Sequence, residues 1–95
     1  MAKVEWTEEA IEDLTRLDKL IIKRILKKVS WFSNNFDSIT PESLSGDFKG
    51  AFKLRIGDWR VVYTIENDLV LIQAVGHRSE IYNKRFRYLF GKIGR

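Results

Sequence analysis

The chain has no cysteine, one histidine and one proline among its 95 residues, and each scarcity removes a class of explanation. Without thiols there are no disulfides and no thiolate nucleophile. A lone imidazole, His77, cannot assemble the nitrogen or sulfur set of a structural zinc, so no metal and no cofactor is expected. No apolar run approaches the roughly 20 residues of a membrane helix, and the start Met1-Ala2-Lys3-Val4-Glu5-Trp6 lacks a signal-peptide core. The expectation is a cytoplasmic protein without a membrane partner. Repeats and low-complexity tracts are absent as well, and a chain this short builds one core, so residues 1–95 are expected to form a single domain.

What the chain does carry is charge, unevenly placed. Its net charge is +4, yet residues 1–50 hold eight Lys/Arg against nine Asp/Glu while residues 51–95 hold nine against four. The positive field lies with the second half. Such asymmetry suits a polyanionic partner, whose attraction acts over about a Debye length and weakens with salt.

Local signals divide the chain into elements. Lys3 to Trp6 reads as a first strand. Thr7 followed by Glu8 and Glu9 is a capped helix start, continued by Ala10, Leu14 and Leu17. Asp18 is a second cap, after which Ile22, Ile25, Leu26, Val29, Phe32 and Phe36 form an apolar stripe opposite Lys19, Lys23, Lys27 and Lys28. That lysine-rich side reads as a solvated face. Asn34-Asn35, Pro41 and Gly46 mark a loop from about residue 34 to 48.

Three strands follow, Phe52 to Ile56, Trp59 to Glu66 and Leu69 to His77, joined by Gly57-Asp58 and Asn67-Asp68 in an antiparallel meander. The fold class is therefore α+β with a single sheet. Alternation sends Phe52, Leu54, Ile56, Val61, Tyr63 and Ile65 to the helix side and Lys53, Arg55, Arg60, Val62 and Thr64 to an exposed, cationic side. Beyond Tyr82, the spacing of Phe86, Leu89, Phe90 and Ile93 predicts a short amphipathic helix in a tail over 83–95. It docks on the body or anchors a partner.

The run Val75-Gly76-His77-Arg78-Ser79-Glu80-Ile81-Tyr82 ends an apolar strand on glycine and at once delivers imidazole, guanidinium and phenol groups. With Lys53, Arg55 and Arg60 these are the groups that act on a phosphodiester without a metal. Together with Leu44-Ser45-Gly46, Phe52-Lys53-Leu54-Arg55 and Gly57-Asp58-Trp59-Arg60-Val61-Val62-Tyr63, the run resembles the RelE toxins of prokaryotic toxin–antitoxin systems, over nearly the whole domain. No single tripeptide is specific; the ordered set carries the likeness.

The resemblance implies a β-α-α-β-β-β core with a variable C-terminal helix. It also implies a small endoribonuclease that enters the ribosomal A site, cuts mRNA there and is restrained by a cognate antitoxin. Its catalytic positions fall on Lys53, Arg60, Arg78 and Tyr82. The family pattern has a second lysine two residues before the one matching Lys53, and Ala51 stands there; Lys49 is a substitute that could come from the loop.

Metal-free RNA cleavage needs a base, an acid and positive charge. Arg60 and Arg78 suit the phosphate oxygens, with Arg78 also a candidate donor near the leaving oxygen. Tyr82 and Lys53 are candidate bases whose proton loss neighbouring cations promote. His77 has the more suitable ordinary pKa, but alternation turns it away from Arg78 unless Gly76 bends the strand. Lys49, Arg55 and His77 remain possible catalytic or RNA-binding groups. Two other readings stay open: a gyrase-binding toxin like the ParE relatives, and an inactive RNA-binding module.

Overall fold

A computed structural model of the chain describes residues 2–44 and 50–81. The tail with Phe86, Leu89, Phe90 and Ile93 lies outside the described residues, as do Lys49 and Tyr82.

Strand β1, Lys3–Trp6, leads into helix α1, Glu8–Thr15. The Thr7 hydroxyl accepts the Ala10 N–H at 3.1 Å, with Glu8 and Glu9 in the positive first turn. Helix α2, Lys19–Asn34, begins on Asp18, whose carboxylate accepts the Leu20 N–H at 3.1 Å. It buries Ile25, Val29 and Phe32. The expected stripe needs one rotation: Ile21 and Phe36 pack on the core, whereas Leu26 is 45% exposed. Successive helical positions diverge by about 100°, so a sheet that receives Ile25 turns Leu26 outward.

The loop expected over 34–48 is partly structured. It contains a 3₁₀ turn, Phe36–Ser38, and a two-residue strand β2, Glu42–Ser43. Two residues carry no periodicity, so only pairing with a neighbour defines that strand. The meander then follows as β3, Ala51–Ile56, β4, Trp59–Glu66, and β5, Leu69–His77. The result is one five-stranded mixed sheet in the order β1-β5-β4-β3-β2, with β1 parallel to β5. Gly57 and Asn67 supply the left-handed turn positions, with φ of 61° and 55°. Among the described residues no helix is long and apolar enough to cross a membrane.

The helices cover the face formed by Phe52, Leu54, Ile56, Val61, Tyr63 and Ile65, as alternation predicted. Phe32 meets Tyr63 and Phe36 with ring centroids 5.0 and 5.5 Å away, and Phe52 stacks on Tyr63 at 5.6 Å. Burial, with a smaller contribution from the Glu42 charge, pushes the Tyr63 phenol up to about 12. An unfolded tyrosine ionises near pH 10, so this group's contribution is full below about pH 10 and is lost as pH rises toward the folded value. Urea unfolding between pH 9 and pH 11 should therefore show an alkaline loss that Tyr63→Phe reduces. An undiminished loss in the variant would assign it to other groups.

The opposite face departs from expectation. It is not cationic throughout, because Val62 is 0% exposed and joins Leu44, Ala51, Ala74 and Ile81 in a second apolar cluster. Leu44 follows β2 and Ile81 follows β5, so neither lies on a strand where alternation could place it. Gly76 makes room: a Cβ there would lie 3.3 Å from the Ile81 Cδ1.

Strand β5 also changes parity. Val62 pairs with Ala74 but Tyr63 with Ile72, leaving Gln73 as an extra residue. Its buried side chain donates to Thr64 Oγ1 at 3.1 Å. Val70 and Ile72 face the main core before this bulge, and Val75 does so after it. Beyond the end of β1, α1 covers the strand edge, where buried Asp13 accepts the Val75 N–H at 3.0 Å.

Candidate functional site

The Gly57-Asp58 turn is where cations distant in sequence meet. Arg60 folds back over it, and Nη1 donates to the Gly57 and Trp59 carbonyls at 2.8 Å each. Arg78, the first residue beyond β5, donates its backbone N–H to the Asp58 carbonyl at 2.7 Å, while its Nε lies 3.5 Å from Asp58 Oδ1. The end of β5 is thereby tied to the β3–β4 turn.

Sheet register supplies the rest. Arg55 pairs with Arg60, which pairs with Gly76; one row along, Lys53 pairs with Val62 and Val62 with Ala74. Same-face neighbours offset by two residues lie about 7–8 Å apart, within reach of long side chains. Lys53, Arg55 and Arg60 therefore share the open face, and Arg78 stands at its end. These four expected residues are brought together; the remaining catalytic candidate, Tyr82, lies outside the described residues.

Glu42 is the member that sequence reasoning missed. Its Oε2 lies 2.9 Å from Arg55 Nη2 and 3.4 Å from Lys53 Nζ, whose side chain is only 18% exposed. Partial desolvation raises the Glu42 carboxyl, but Arg55 and Lys53 outweigh it, so the net shift is downward. The carboxylate is thus ionised at neutral pH, between two cations on the open face. Only the pairing of β2 with β3, Glu42 opposite Lys53, brings it there.

His77 stands elsewhere. It meets Trp59 edge to face, with centroids 5.3 Å apart, in a cleft of about 380 Å³ also lined by Asp13, Arg16, Leu17 and Glu80. Nδ1 accepts the Ser79 N–H at 3.2 Å and lies 2.8 Å from Ser79 Oγ, an arrangement that suits the neutral ring protonated on Nε2. The cleft it shares with Trp59 and α1 lies on the helix side of the sheet. Arg24 of α2 is a second unforeseen neighbour: a Cβ on Gly57 would lie 2.7 Å from its Nη2. The missing side chain lets that guanidinium lie across the turn.

Four cations, Lys53, Arg55, Arg60 and Arg78, thus stand with two carboxylates, Glu42 and Asp58. A surplus of guanidinium groups beside an ionised carboxylate can hold a phosphodiester and accept a proton from the attacking hydroxyl. Among the described residues, no group of three or more acidic or histidine side chains is placed to hold a metal ion.

The ParE toxin family of type II toxin–antitoxin systems matches residues 4–82. Among solved structures, a chain of the RelBE2 toxin–antitoxin complex from Mycobacterium tuberculosis is 26% identical, with a TM-score of 0.71 over 81% of this chain and 98% of that one. A mutant of the E. coli toxin RelE in the free state is 20% identical, with a TM-score of 0.72 over 98% of each chain. The chromosomal ParDE system of P. aeruginosa gives 12% identity and a TM-score of 0.67, over 81% of this chain and 96% of that one. The last two are likenesses of fold. No curated protein matches the sequence.

Proposed function

The chain belongs to the ParE toxin family, within the RelE/ParE superfamily of type II toxin–antitoxin toxins, and from that premise we propose that it is a metal-independent endoribonuclease. Its substrate is mRNA in the ribosomal A site, and its inhibitor is a cognate antitoxin. The observation that carries this reading is the convergence of Lys53, Arg55, Arg60 and Arg78 around one turn and one sheet face. The antitoxin complexes among similar solved structures support the inhibitor.

In this reading the 2′-hydroxyl attacks the adjacent phosphorus, forming the P–O2′ bond while the P–O5′ bond breaks. The products are a 2′,3′-cyclic phosphate and a 5′-hydroxyl. Glu42 takes the proton from the 2′-oxygen, which relieves Lys53 and Tyr82 of a task their ordinary pKa values near 10 make hard at neutral pH. Arg60 and Arg78 hold the non-bridging oxygens as charge grows on the phosphorane, and Lys53 adds to that field. Tyr82, next in sequence to Ile81, gives its proton to the leaving 5′-oxygen. With Glu42 as base, His77 has no part in this chemistry.

A specific observation favours a second reading, a ParE-like toxin that binds gyrase. The matching family is that of ParE toxins, and the position of the second lysine in the RelE pattern is Ala51, a 1% exposed member of the second apolar cluster. Mapping RNA 5′ ends and DNA breaks after brief induction separates the two. Ribosome-linked mRNA ends bearing 5′-hydroxyls are expected; gyrase-dependent DNA breaks without them would establish the second reading. Neither would leave an RNA-binding module.

A further inference from the structure

Helix α2 carries Lys19, Lys23, Arg24, Lys27 and Lys28 and no acidic residue. Lys19 with Lys23, Lys23 with Lys27, and Arg24 with Lys28 are like-charge neighbours one turn apart, each destabilising by about 0.2–0.5 kcal/mol in an isolated helix. Among the described residues none of these five cations enters an ion pair. A face kept for solubility ordinarily mixes signs and gains from i,i+4 partners. This one does neither.

The same face holds an exposed aromatic ring. Trp31 is 47% exposed, with the Lys28 ammonium 4.1 Å from its ring centroid. Together with Arg24, Lys27 and Ile56 they line a shallow cleft of about 340 Å³. Arg24 belongs both to this cleft and to the Gly57 turn on which Arg60 folds. The cations of α2 are thereby continuous with those of the open sheet face.

The geometry points to α2 as a second binding surface for single-stranded RNA, reached from the sheet across the β3–β4 turn. Arg24, Lys27 and Lys28 hold successive phosphates, and one unstacked base lies on Trp31. Single-stranded RNA is the occupant because the α2 part of the track carries cations without an acidic residue, adjoins the β3–β4 turn through Arg24 and ends on an aromatic platform that needs a free base. An acidic peptide is the competing occupant. The inference rests on the nucleic-acid reading of the sheet face, but binding can be measured apart from cleavage.

The test uses the full chain and a 2′-O-methyl oligoribonucleotide of about 16 nucleotides, which cannot be cut by 2′-hydroxyl attack. The double variant Lys27→Glu/Lys28→Glu converts two repulsive pairs, with Lys23 and Arg24, into attractive ones, so its melting temperature should not fall. Its affinity should drop, and the slope of log K against log salt should shrink by about 0.7 for each phosphate that the variant no longer holds. Trp31→Ala should weaken binding by at least about fivefold with the slope unchanged, because stacking releases no counterions.

Parent-like RNA binding in both variants overturns the inference. So does parent-like RNA binding combined with abolished binding of an acidic antitoxin peptide, which would give the face to that partner. If the parent cuts no mRNA on programmed ribosomes and the variants still bind the oligonucleotide more weakly, the nuclease reading fails and this surface stands.

Discussion

Arg78→Ala should abolish growth arrest and slow single-turnover cleavage on programmed ribosomes by about 10²–10³-fold, the usual loss when one donor to a developing oxyanion is removed. Stability should barely change. The Arg78 side chain is largely exposed and its Nε–Asp58 distance is long at 3.5 Å, so the pair contributes about 0–1 kcal/mol. The backbone N–H that ties residue 78 to the Asp58 carbonyl survives the substitution. A soluble variant that cuts at the parental rate would remove Arg78 from the site. Fully rescued cleavage in Arg78→Lys would show that charge alone suffices and that the guanidinium plane is dispensable.

Glu42→Gln should lower cleavage by about 10²–10⁴-fold, the range for losing a positioned general base. The alternative role predicts the opposite sign. If Glu42 only neutralises Lys53 and Arg55, its removal frees two cations, tightens RNA binding and leaves the rate equal or higher. The pH profile gives a second check. Desolvation raises the Glu42 carboxyl and Arg55 and Lys53 more than reverse that, giving a lowered value, so the acidic limb of the parental rate should be displaced to the acid side of an ordinary glutamate. A limb near pH 6–7 would instead indicate an imidazole. The Glu42–Arg55 pair lies at the surface and contributes about 0–1 kcal/mol, so unfolding measurements should register chiefly the lost contact with the largely buried Lys53 side chain.

Much of the fold was legible because its signals are local. Thr7 and Asp18 cap the helices as their side chains predict. The meander strands lie within one residue of the expected limits, since Gly57 and Asn67 mark turns that need positive φ. The helix-facing set on β3 and β4 followed from alternation. Alternation misjudged Val62, because it counts parity within a strand and takes no account of what Leu44 and Ile81 bring from outside it. On α2, periodicity found the helix but assigned Leu26 to a core that accepts Ile21 instead.

The candidate site divides along the same line. Sequence by itself determined the α+β class, the caps and turns, the excess of positive charge in the second half and the identity of Lys53, Arg55, Arg60 and Arg78 as four of its nine cations, all of which are read from the chain without its tertiary pairing. Tertiary structure alone decided that Glu42 lies between Lys53 and Arg55, that Arg24 reaches the Gly57 turn, and that His77 meets Trp59 in a cleft shared with α1 while Arg78 is held at the Gly57-Asp58 turn. Each of those placements needs pairing between distant segments: β2 on β3, α2 across the sheet, and β5 on β4 with one extra residue. Backbone hydrogen bonding sets such registers through the competition of whole strands for partners, and no short window of residues records that competition.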